Sequence, residues 1–353
     1  MERIRIDASK SYEVIIGEGL LSGLGEFFSP LAKGRNVALI ADDVTSRLFG
    51  AQAKASLEKE GFTVFEFSFP NGEDSKNANT YVEILEFLAG AGLTRADAIV
   101  ALGGGVVGDM SGFAGASYLR GINFVQVPTT LLSAVDSSVG GKTAINLSAG
   151  KNLAGAFYQP SLVLCDTDII ADLPEKIFSD GMAEVIKYGA LGSEKVLDLC
   201  RAGAKENLRE LIGLCVSMKR DIVMKDERDT GERQLLNFGH TPGHAIEKLS
   251  GFEISHGSAV AIGMVMMAKS AEATGLCEKG VADELTFLCE KYSLPVKCPF
   301  GIPEMADAAM SDKKRGAGKI TLVLPEKRGK CSLFKVQDSE VGRYFGAGTE
   351  ELV

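Results

Sequence analysis

Several features that mark other classes of protein are missing from this sequence of 353 residues. No apolar run approaches the roughly 20 residues of a transmembrane helix, and the segment Met1–Gly17 lacks the apolar core of a signal peptide. Acidic residues outnumber basic ones, 47 against 38, so nucleic acid and membrane surfaces are not expected as partners. We therefore expect a cytoplasmic protein in which any anionic ligand meets a local group of lysines and arginines.

The sequence also has no close cysteine pair. Its seven cysteines are odd in number, scattered and never arranged as C-x-x-C. This usage is typical of a cytosolic protein whose thiols stay reduced. We expect reduced, mostly buried thiols at these positions, which are Cys165, Cys200, Cys215, Cys277, Cys289, Cys298 and Cys331.

Histidine is scarce, and His240, His244 and His256 all fall within the window Leu236–Gly257. Neutral imidazole is a common metal ligand and the usual proton carrier near neutral pH. A chain that places its whole supply of imidazole in one short segment is expected to build a metal or acid/base site there. The alternative is that the three are unrelated polar positions.

The hydrophobic pattern changes near Pro174, so we expect two domains, residues 1–174 and 175–353. A chain of this length is usually too long for a single hydrophobic core. Before Pro174, short β-rich runs alternate with helical patterns, which predicts a Rossmann-like α/β domain with a mainly parallel sheet. The predicted strands are an antiparallel pair, Arg3–Asp7 and Tyr12–Ile16, followed by Asn36–Ala41, Thr63–Phe69, Ala98–Leu102, Phe124–Val127 and Leu162–Cys165.

Beyond Pro174 the periodicity predicts a mainly α-helical domain. One late pair of runs, Lys319–Leu324 and Lys330–Val336, is typical of a β-hairpin. The predicted helices are Ile177–Gly192, Ser193–Ala202, Asn207–Lys225, Thr241–Leu249, Ser258–Thr274, Val281–Tyr292 and Pro303–Met310.

The glycine-rich segment Gly103–Asp109 follows a predicted strand and precedes a helical pattern. In that context glycines such as Gly104 and Gly105 let backbone N–H groups approach a pyrophosphate at a helix N-terminus. The usual acidic residue about 20 positions further on is missing. The acidic candidates are instead Asp42, which closes an earlier strand, and Glu73, which precedes Lys76. The alternative is a tight structural turn without a ligand.

A second glycine- and serine-rich segment, Asp136–Thr143, continues to Gly150–Asn152. It lacks the G-x-x-x-x-G-K spacing of a phosphate loop, which excludes a nucleotide triphosphatase. Lys142, Lys151 and Asn152 on this glycine-rich backbone are consistent with a binding site for an anion.

His240 and His244 have the spacing of paired ligands on one helical face, but Pro242 lies between them. Proline is favoured at the first position of a helix, so we expect Thr241 as N-cap and Pro242 as the first helical residue. His240 would then precede the helix while His244 lies in its first turn. This arrangement favours one metal ligand and one proton carrier.

A third ligand is expected from Glu184, in the apolar segment Gly181–Gly189. Glu184 and Lys187 are costly to bury unless they have partners or a catalytic role. The alternative is an ordinary surface ion pair with i,i+3 spacing. Together with His240 and His256, Glu184 would leave coordination positions open for substrate, as in a catalytic zinc site.

Four long motifs that span nearly the whole chain resemble those of the 3-dehydroquinate synthases, a family of the shikimate pathway. The motifs are Gly103–Arg120, Val125–Lys142 (VQVPTTLLSAVDSSVGGK), Gly181–Gly189 and Leu236–Glu247 (LNFGHTPGHAIE). The resemblance implies an N-terminal NAD-binding α/β domain, a helical metal-binding C-terminal domain, a homodimer, and Zn²⁺ or Co²⁺ with bound NAD. One departure is Pro242, where a large apolar residue is more usual.

The resemblance also assigns residues. The metal ligands correspond to Glu184, His240 and His256, and the proton carrier to His244. Residues that hold the substrate carboxylate and hydroxyls correspond to Lys187, Lys219, Arg233 and Asn237. Phosphate contacts correspond to Lys142, Asn152 and one of Lys313 and Lys314, with Arg120 reaching in from a partner subunit. Cofactor contacts correspond to Asp42, Glu73, Lys76, Asp109, Thr129, Thr130, Asp136, Lys142 and Lys151.

The implied substrate is a small phosphorylated sugar acid, 3-deoxy-D-arabino-heptulosonate 7-phosphate, and the implied products are 3-dehydroquinate and phosphate. Transient NAD-dependent oxidation at C5 is followed by β-elimination of phosphate, re-reduction, ring opening and intramolecular aldol closure. Because the cofactor is regenerated in each cycle, the implied enzyme is a carbon–oxygen lyase with no net redox change.

Three other functions fit the sequence less well. Another sugar-phosphate cyclase, forming 2-deoxy-scyllo-inosose or a valiolone, would have no carboxylate for Arg233, Lys219 and Asn237 to bind. A metal-dependent polyol dehydrogenase of the glycerol dehydrogenase type would have little use for a group of cationic side chains around one pocket. A non-catalytic NAD- or metal-binding protein would not need a separate His244.

Overall fold

The structure, a computed structural model, describes residues 1–312 and 318–349. The chain forms two compact units, one of Met1–Leu173 with Leu208–Arg228, the other of Pro174–Asn207 with Asp229–Val353. The first boundary falls where the sequence pattern changes. The segment Leu208–Arg228 groups with the first unit, unlike the single division expected at Pro174, because its helix packs against the first two strands. Among the described helices, none has the length and apolar character needed to cross a membrane.

The first unit is α/β. Its strands are β1 (Glu2–Asp7), β2 (Ser11–Gly17), β3 (Asn36–Asp42), β4 (Thr63–Phe69), β5 (Ala98–Gly103), β6 (Asn123–Pro128), β7 (Lys142–Leu147), β8 (Gly150–Phe157) and β9 (Leu162–Asp166). Its helices are α1 (Leu24–Phe28), α2 (Asp43–Thr45), α3 (Ala51–Lys59), α4 (Ala78–Gly90), α5 (Gly105–Ser117), α6 (Thr167–Ala171) and α9 (Leu208–Lys225). A seven-stranded sheet has the order β1-β2-β9-β6-β5-β3-β4, and β7 and β8 form a separate antiparallel hairpin.

Within the large sheet, β1 and β2 are antiparallel and the other neighbouring strands are parallel. The chain runs from β3 to β4 on one side and from β5 to β6 on the other, so the carboxyl ends of β3 and β5 form a topological switch point. Ligands of open α/β sheets bind at such a point. Asp42 ends β3 and Gly103 ends β5, so the glycine-rich turn lies at this edge.

Both faces of the sheet are covered. Leu39 and Val100 belong to the apolar cluster on one face, and Ile40 and Ile99 to the cluster on the other, as the alternation along a strand requires. Glycine allows α5 to lie close to its neighbours, because a Cβ at Gly112 would lie 2.4 Å from Cγ2 of Thr143.

The second unit is mainly helical, with an antiparallel hairpin of β10 (Lys319–Lys327) and β11 (Lys330–Gln337). Helix α11 is buried along most of its length and forms the centre of this unit. The helices are α7 (Glu175–Gly192), α8 (Glu194–Ala202), α10 (His240–Leu249), α11 (His256–Ala273), α12 (Val281–Lys291), α13 (Ile302–Asp312) and α14 (Val341–Ala347).

The fold class, the strands of the parallel sheet, the N-terminal antiparallel pair and the late hairpin are confirmed. The hairpin of β7 and β8 was not predicted, since its glycines, alanines and polar residues interrupt the hydrophobic alternation that marks a strand. None of the seven cysteines, all of which lie in the described residues, forms a disulfide, and six are buried.

Candidate active site

The three histidines lie together in the helical unit. His240 and His244 belong to α10, and His256 is the first residue of α11. The ring centroid of His240 lies 5.5 Å from that of His244 and 5.2 Å from that of His256. The ring centroids of His244 and His256 are 6.3 Å apart.

Helix α10 begins earlier than expected. Gly239, with a φ of 77°, is its N-cap, not Thr241, and Pro242 is the third helical residue, not the first. Proline is tolerated there because N–H groups of the first turn have no partner within the helix. A Cβ at Gly239 would lie 2.6 Å from Cγ of Met264, so glycine suits both this φ and the packing. His240 and His244 therefore share one helical face.

Donor atoms of Glu184, His240 and His256 lie within 4.8 Å of one another, as a bound metal ion requires. Oε1 of Glu184 is 3.5 Å from Nε2 of His240 and 3.4 Å from Nε2 of His256. One carboxylate and two imidazoles match the donor set of a catalytic zinc site. The expected ligand set is thus assembled in one place by α7, α10 and α11.

In both proposed histidine ligands, the other ring nitrogen, Nδ1, has a hydrogen-bond partner. Nδ1 of His240 lies 3.1 Å from the carbonyl oxygen of Phe238, and Nδ1 of His256 lies 3.3 Å from Oε2 of Glu247. When each Nδ1–H donates to its oxygen, Nε2 keeps its lone pair for a metal. Glu247 was not among the expected site residues, although it lies seven positions after His240 and thus on the same helical face.

The pKa values of His240 and His256 are shifted in opposite directions. Burial and the nearby charge of Lys187 lower the pKa of His240 to about 3. Burial alone would lower the pKa of His256, but hydrogen bonds to Glu184 and Glu247 outweigh it and raise the pKa to about 10. His240 is therefore neutral at pH 7, the form that binds a metal, whereas His256 would release a proton on binding one.

Glu184 and Lys187 form a buried ion pair rather than a surface pair. Both residues are at most 1% exposed, and Nζ of Lys187 lies 5.2 Å from the ring centroid of Tyr188. Arg233, at 2% exposed, is also buried, at the start of the helical unit's turn Glu232–Asn237. Buried cations of this kind are retained where they have a partner or a function.

A second donor set overlaps the first. Donor atoms of His244, Glu247 and His256 also lie within 4.8 Å of one another. His244 is exposed, whereas Glu247 is 4% exposed. Geometry alone therefore allows His244 to act either as a ligand or as a solvent-accessible proton carrier.

In the α/β unit, several expected cofactor contacts lie at the switch point. Gly104 is the N-cap of α5, and the amide of Thr129 donates to the carbonyl of Gly103 at 3.0 Å. Oδ1 of Asp42 accepts hydrogen bonds from the amides of Val44 and Thr45, at 3.0 and 2.8 Å. The start of α5 presents backbone N–H groups to this edge, as an anion site requires.

Five further expected contacts form ion pairs or hydrogen bonds with one another. Nζ of Lys76 lies 2.6 Å from Oδ2 of Asp109 and donates at 2.6 Å to Oδ1 of Asn152. Burial raises the pKa of Asp109 despite the opposing effect of Lys76. Nζ of Lys219 lies 2.9 Å from Oδ1 of Asp136.

The expected anion ligands are spread along the hairpin. Lys142 begins β7 opposite Phe157, whereas Asn152 lies on β8 near the turn of the hairpin. Arg120 is exposed and has a φ of 66°. The hydroxyl oxygens of Thr130 and Ser133 are hydrogen-bonded at 2.8 Å. Asn237 is the last residue of the turn Glu232–Asn237 and is half-buried. Lys313 and Lys314 lie outside the described residues.

Sequence comparisons give one family for both halves of the chain. The 3-dehydroquinate synthase N-terminal profile matches residues 66–180, and the 3-dehydroquinate synthase C-terminal profile matches residues 181–315. The 3-dehydroquinate synthase of Clostridium kluyveri is 42% identical over 339 residues, or 94% of each chain. That of Clostridium perfringens is 44% identical over 329 residues, or 91% of this chain and 94% of the relative.

Among solved structures, 2-deoxy-scyllo-inosose synthase complexed with carbaglucose-6-phosphate, NAD⁺ and Co²⁺ is 27% identical, with a TM-score of 0.88 over 98% of this chain and 99% of the other. A probable glycerol dehydrogenase from Sinorhizobium meliloti, 14% identical with a TM-score of 0.65 over 95% of each chain, shares the fold alone.

Fold and site together define a chain of the class that contains the sugar phosphate cyclases, built on the fold of the iron- and glycerol-dehydrogenase-like proteins. Within that class the chain belongs to the 3-dehydroquinate synthase family, whose enzymes are phosphate-eliminating carbon–oxygen lyases. The family and the activity expected from the four sequence motifs are confirmed.

Proposed function

We propose that this chain converts 3-deoxy-D-arabino-heptulosonate 7-phosphate into 3-dehydroquinate and phosphate, with bound NAD⁺ and one Zn²⁺ or Co²⁺. The observation that carries the proposal is the set of donor atoms from Glu184, His240 and His256 within 4.8 Å, in a chain of this family. When bound, NAD⁺ supplies reversible oxidation of an alcohol, and the metal supplies a Lewis acid for its oxygen.

The chain's own residues bind and orient the substrate. In the helical unit, Lys187 and Arg233 hold the substrate carboxylate and hydroxyls, together with Asn237. Arginine presents two parallel N–H donors to a carboxylate, which fixes its orientation as well as its charge. In the α/β unit, Lys219 is a further proposed substrate contact, and its Nζ lies 2.9 Å from Oδ1 of Asp136.

His244 is proposed to move protons at the substrate phosphate and hydroxyls. Its exposed ring exchanges protons with solvent, whereas the ring of His240 is held neutral by burial. Phosphate contacts are proposed at Lys142 and Asn152 of the α/β unit, while the other expected contacts, Lys313 and Lys314, lie outside the described residues. Cofactor contacts are proposed at Asp42, Gly104, Gly105, Glu73, Lys76, Asp109, Thr129, Thr130, Asp136, Lys142 and Lys151.

A homodimer in the cytoplasm completes the proposal, with Arg120 contributing to the partner's phosphate site. Exposed apolar side chains on the hairpin of β7 and β8, at Leu147, Leu153 and Phe157, supply surface for a contact between subunits. Light scattering of the purified protein measures the oligomeric state directly, and a monomer at micromolar concentration contradicts this part.

The deciding experiment is an assay of the purified protein with the heptulosonate phosphate, following phosphate release and carbocycle formation. We expect both products in equal amounts, loss of activity with a chelator, and recovery with Zn²⁺ or Co²⁺. Activity that is unaffected when the chelator has removed all metal would contradict the assignment of the metal site.

A further inference from the structure

Asn146 joins three parts of the α/β unit that sequence motifs treat separately. Its Nδ2 donates to Oε1 of Glu73 at 2.7 Å, and its Oδ1 accepts from the amide of Asn152 at 2.8 Å. The amide of Asn146 donates to the carbonyl of Lys76 at 2.9 Å. All three partner residues are expected cofactor or phosphate contacts, yet Asn146 itself lies in none of the four sequence motifs.

The hairpin is irregular at this position. Ile145 pairs with Ala154 and Leu147 pairs with Gly150, so Asn146 alone faces the three residues between them on β8. Bulges of this kind redirect side chains and are common beside active sites. Asn152, in the bulged segment, has a φ of 54°, a left-handed conformation that asparagine tolerates better than most residues.

Lys76 determines which end of the Asn152 amide group is available to a ligand. Its Nζ donates to Oδ1 of Asn152 at 2.6 Å and lies 2.6 Å from Oδ2 of Asp109. Lys76 is 5% exposed, so its charged end has little freedom to leave these partners. An amide that accepts through its oxygen donates through its nitrogen, which is the polarity that an anion requires.

We propose that Lys76 and Asn146 are positioning residues for an oxyanion bound by Nδ2 of Asn152. Lys76 sets the orientation of the amide group, and Asn146 holds the left-handed backbone that carries it. The inference rests on the proposed function, in which Asn152 contacts the substrate phosphate. It extends that function because Lys76 then orients a phosphate-binding group in addition to its proposed contact with the cofactor.

Binding of inorganic phosphate to the full chain, measured by titration calorimetry, tests the proposal. Lys76→Met frees the amide to turn its oxygen toward the anion, and we expect about 10-fold weaker binding or more, as for loss of a hydrogen bond to a charged group. Asn146→Ala should weaken binding about 2–10-fold, the range of an ordinary hydrogen bond. Asn152→Ala should weaken it at least as much as either variant.

A compensating pair separates positioning from general damage. Asn146→Asp still accepts from the amide of Asn152, but it places a second negative charge beside Glu73, so phosphate should bind more weakly. Adding Glu73→Gln supplies an amide N–H that donates to the new carboxylate, and it returns the pair to its original net charge. We expect the double variant to bind phosphate within about 2-fold of the wild-type affinity. Asn123→Ala, which removes an amide bonded to the carbonyl of Leu31, is the matched control and should bind normally.

NAD⁺ titrations of the same proteins distinguish the outcomes. Lys76→Met with weakened NAD⁺ binding and unchanged phosphate binding overturns the proposal and leaves Lys76 as a cofactor contact. Failure of the double variant to recover, or no phosphate binding by the wild type, also overturns it. If the wild type binds phosphate in this manner but forms no 3-dehydroquinate, the proposed function fails and the positioning roles stand.

Discussion

Nδ1 of His256 lies 3.3 Å from Oε2 of Glu247, while Nε2 of the same ring faces Glu184 at 3.4 Å. A single imidazole thus stands between two carboxylates, one a proposed ligand and the other its support. Hydrogen bonds from a ligand's second nitrogen orient the ring and raise its basicity toward the metal.

Glu247→Gln should therefore weaken metal binding about 10–100-fold, because the neutral amide accepts the proton less strongly. Competition with a fluorescent chelator measures the affinity. Glu272→Gln is the matched control, since this carboxylate on α11 accepts from the amide of Ala282 at 2.8 Å, away from the histidines. If the wild type binds two metal ions and the variant binds one, Glu247 is a ligand of the overlapping set rather than a support.

Substitution of the proposed ligands should separate binding from turnover. Glu184→Ala and His256→Ala should each lose bound metal, whereas His244→Ala should keep metal and lose activity. Metal content by mass spectrometry, together with the phosphate-release assay, distinguishes these outcomes. Loss of metal from the His244 variant would reassign His244 as a ligand, which its position on the same face as His240 permits.

Activity should require catalytic NAD⁺ and yield no net NADH, because the proposed reaction returns the cofactor to its starting state. Absorbance at the NADH band during many turnovers measures this directly. NADH accumulating in proportion to product would instead indicate a polyol dehydrogenase.

Arg233→Lys keeps the positive charge but removes the two parallel donors. We expect kcat/KM for the carboxylated substrate to fall about 10–100-fold, as for loss of a charge-assisted hydrogen bond of about 1.5–3 kcal/mol. A substrate analogue without the carboxylate should be poor with the wild type and should lose little more in the variant. Equal losses for both substrates would give Arg233 a structural role and favour another sugar-phosphate cyclase.

Asp97 gives a test of stability outside the active site. Its Oδ2 accepts from the amide of Thr94 at 2.8 Å and its Oδ1 from the amide of Asn36 at 3.0 Å. Burial alone would raise the pKa of Asp97, but these hydrogen bonds outweigh it and lower the pKa. Because the pKa is lower in the folded state, the stabilisation is present above the unfolded value of about 3.9 and is lost as pH falls through the folded value.

Asp97→Asn should accordingly reduce the free energy of unfolding at pH 7 by about 1–3 kcal/mol. The difference from wild type should shrink below about pH 4, where the wild-type carboxylate becomes protonated. Urea denaturation at a series of pH values measures this dependence. A difference that stays constant down to pH 3 would contradict the role assigned to the charge.

The candidate metal site was largely predictable, because histidine is rare in this chain and its three copies share one window. Glu184 and Lys187 stood out as charges in an apolar helix, and both are buried. The start of α10 was predicted wrongly because capping preferences favour Thr241, whereas the left-handed conformation at Gly239 and its packing against Met264 determine the boundary.

Residues that act through others were not predictable. Glu247 contacts His256 across two helices, and Asn146 contacts Glu73 across 73 positions of sequence. Neither contact leaves a periodic or spaced pattern, since both depend on how the chain is brought together in space. Only the position of Glu247 on the helical face of His240 offered a local signal.

Helix α9 has a consequence for recombination between relatives. It lies in the α/β unit, although the segments before and after it in sequence belong to the other unit. A chimaera joined once near Leu173 would set the sheet of one parent against α9 of the other, and Leu211, Ile212 and Val216 of that helix are fully buried. Exchange of Leu208–Arg228 together with residues 1–173 preserves this interface, so viable hybrids require crossovers at three places rather than one.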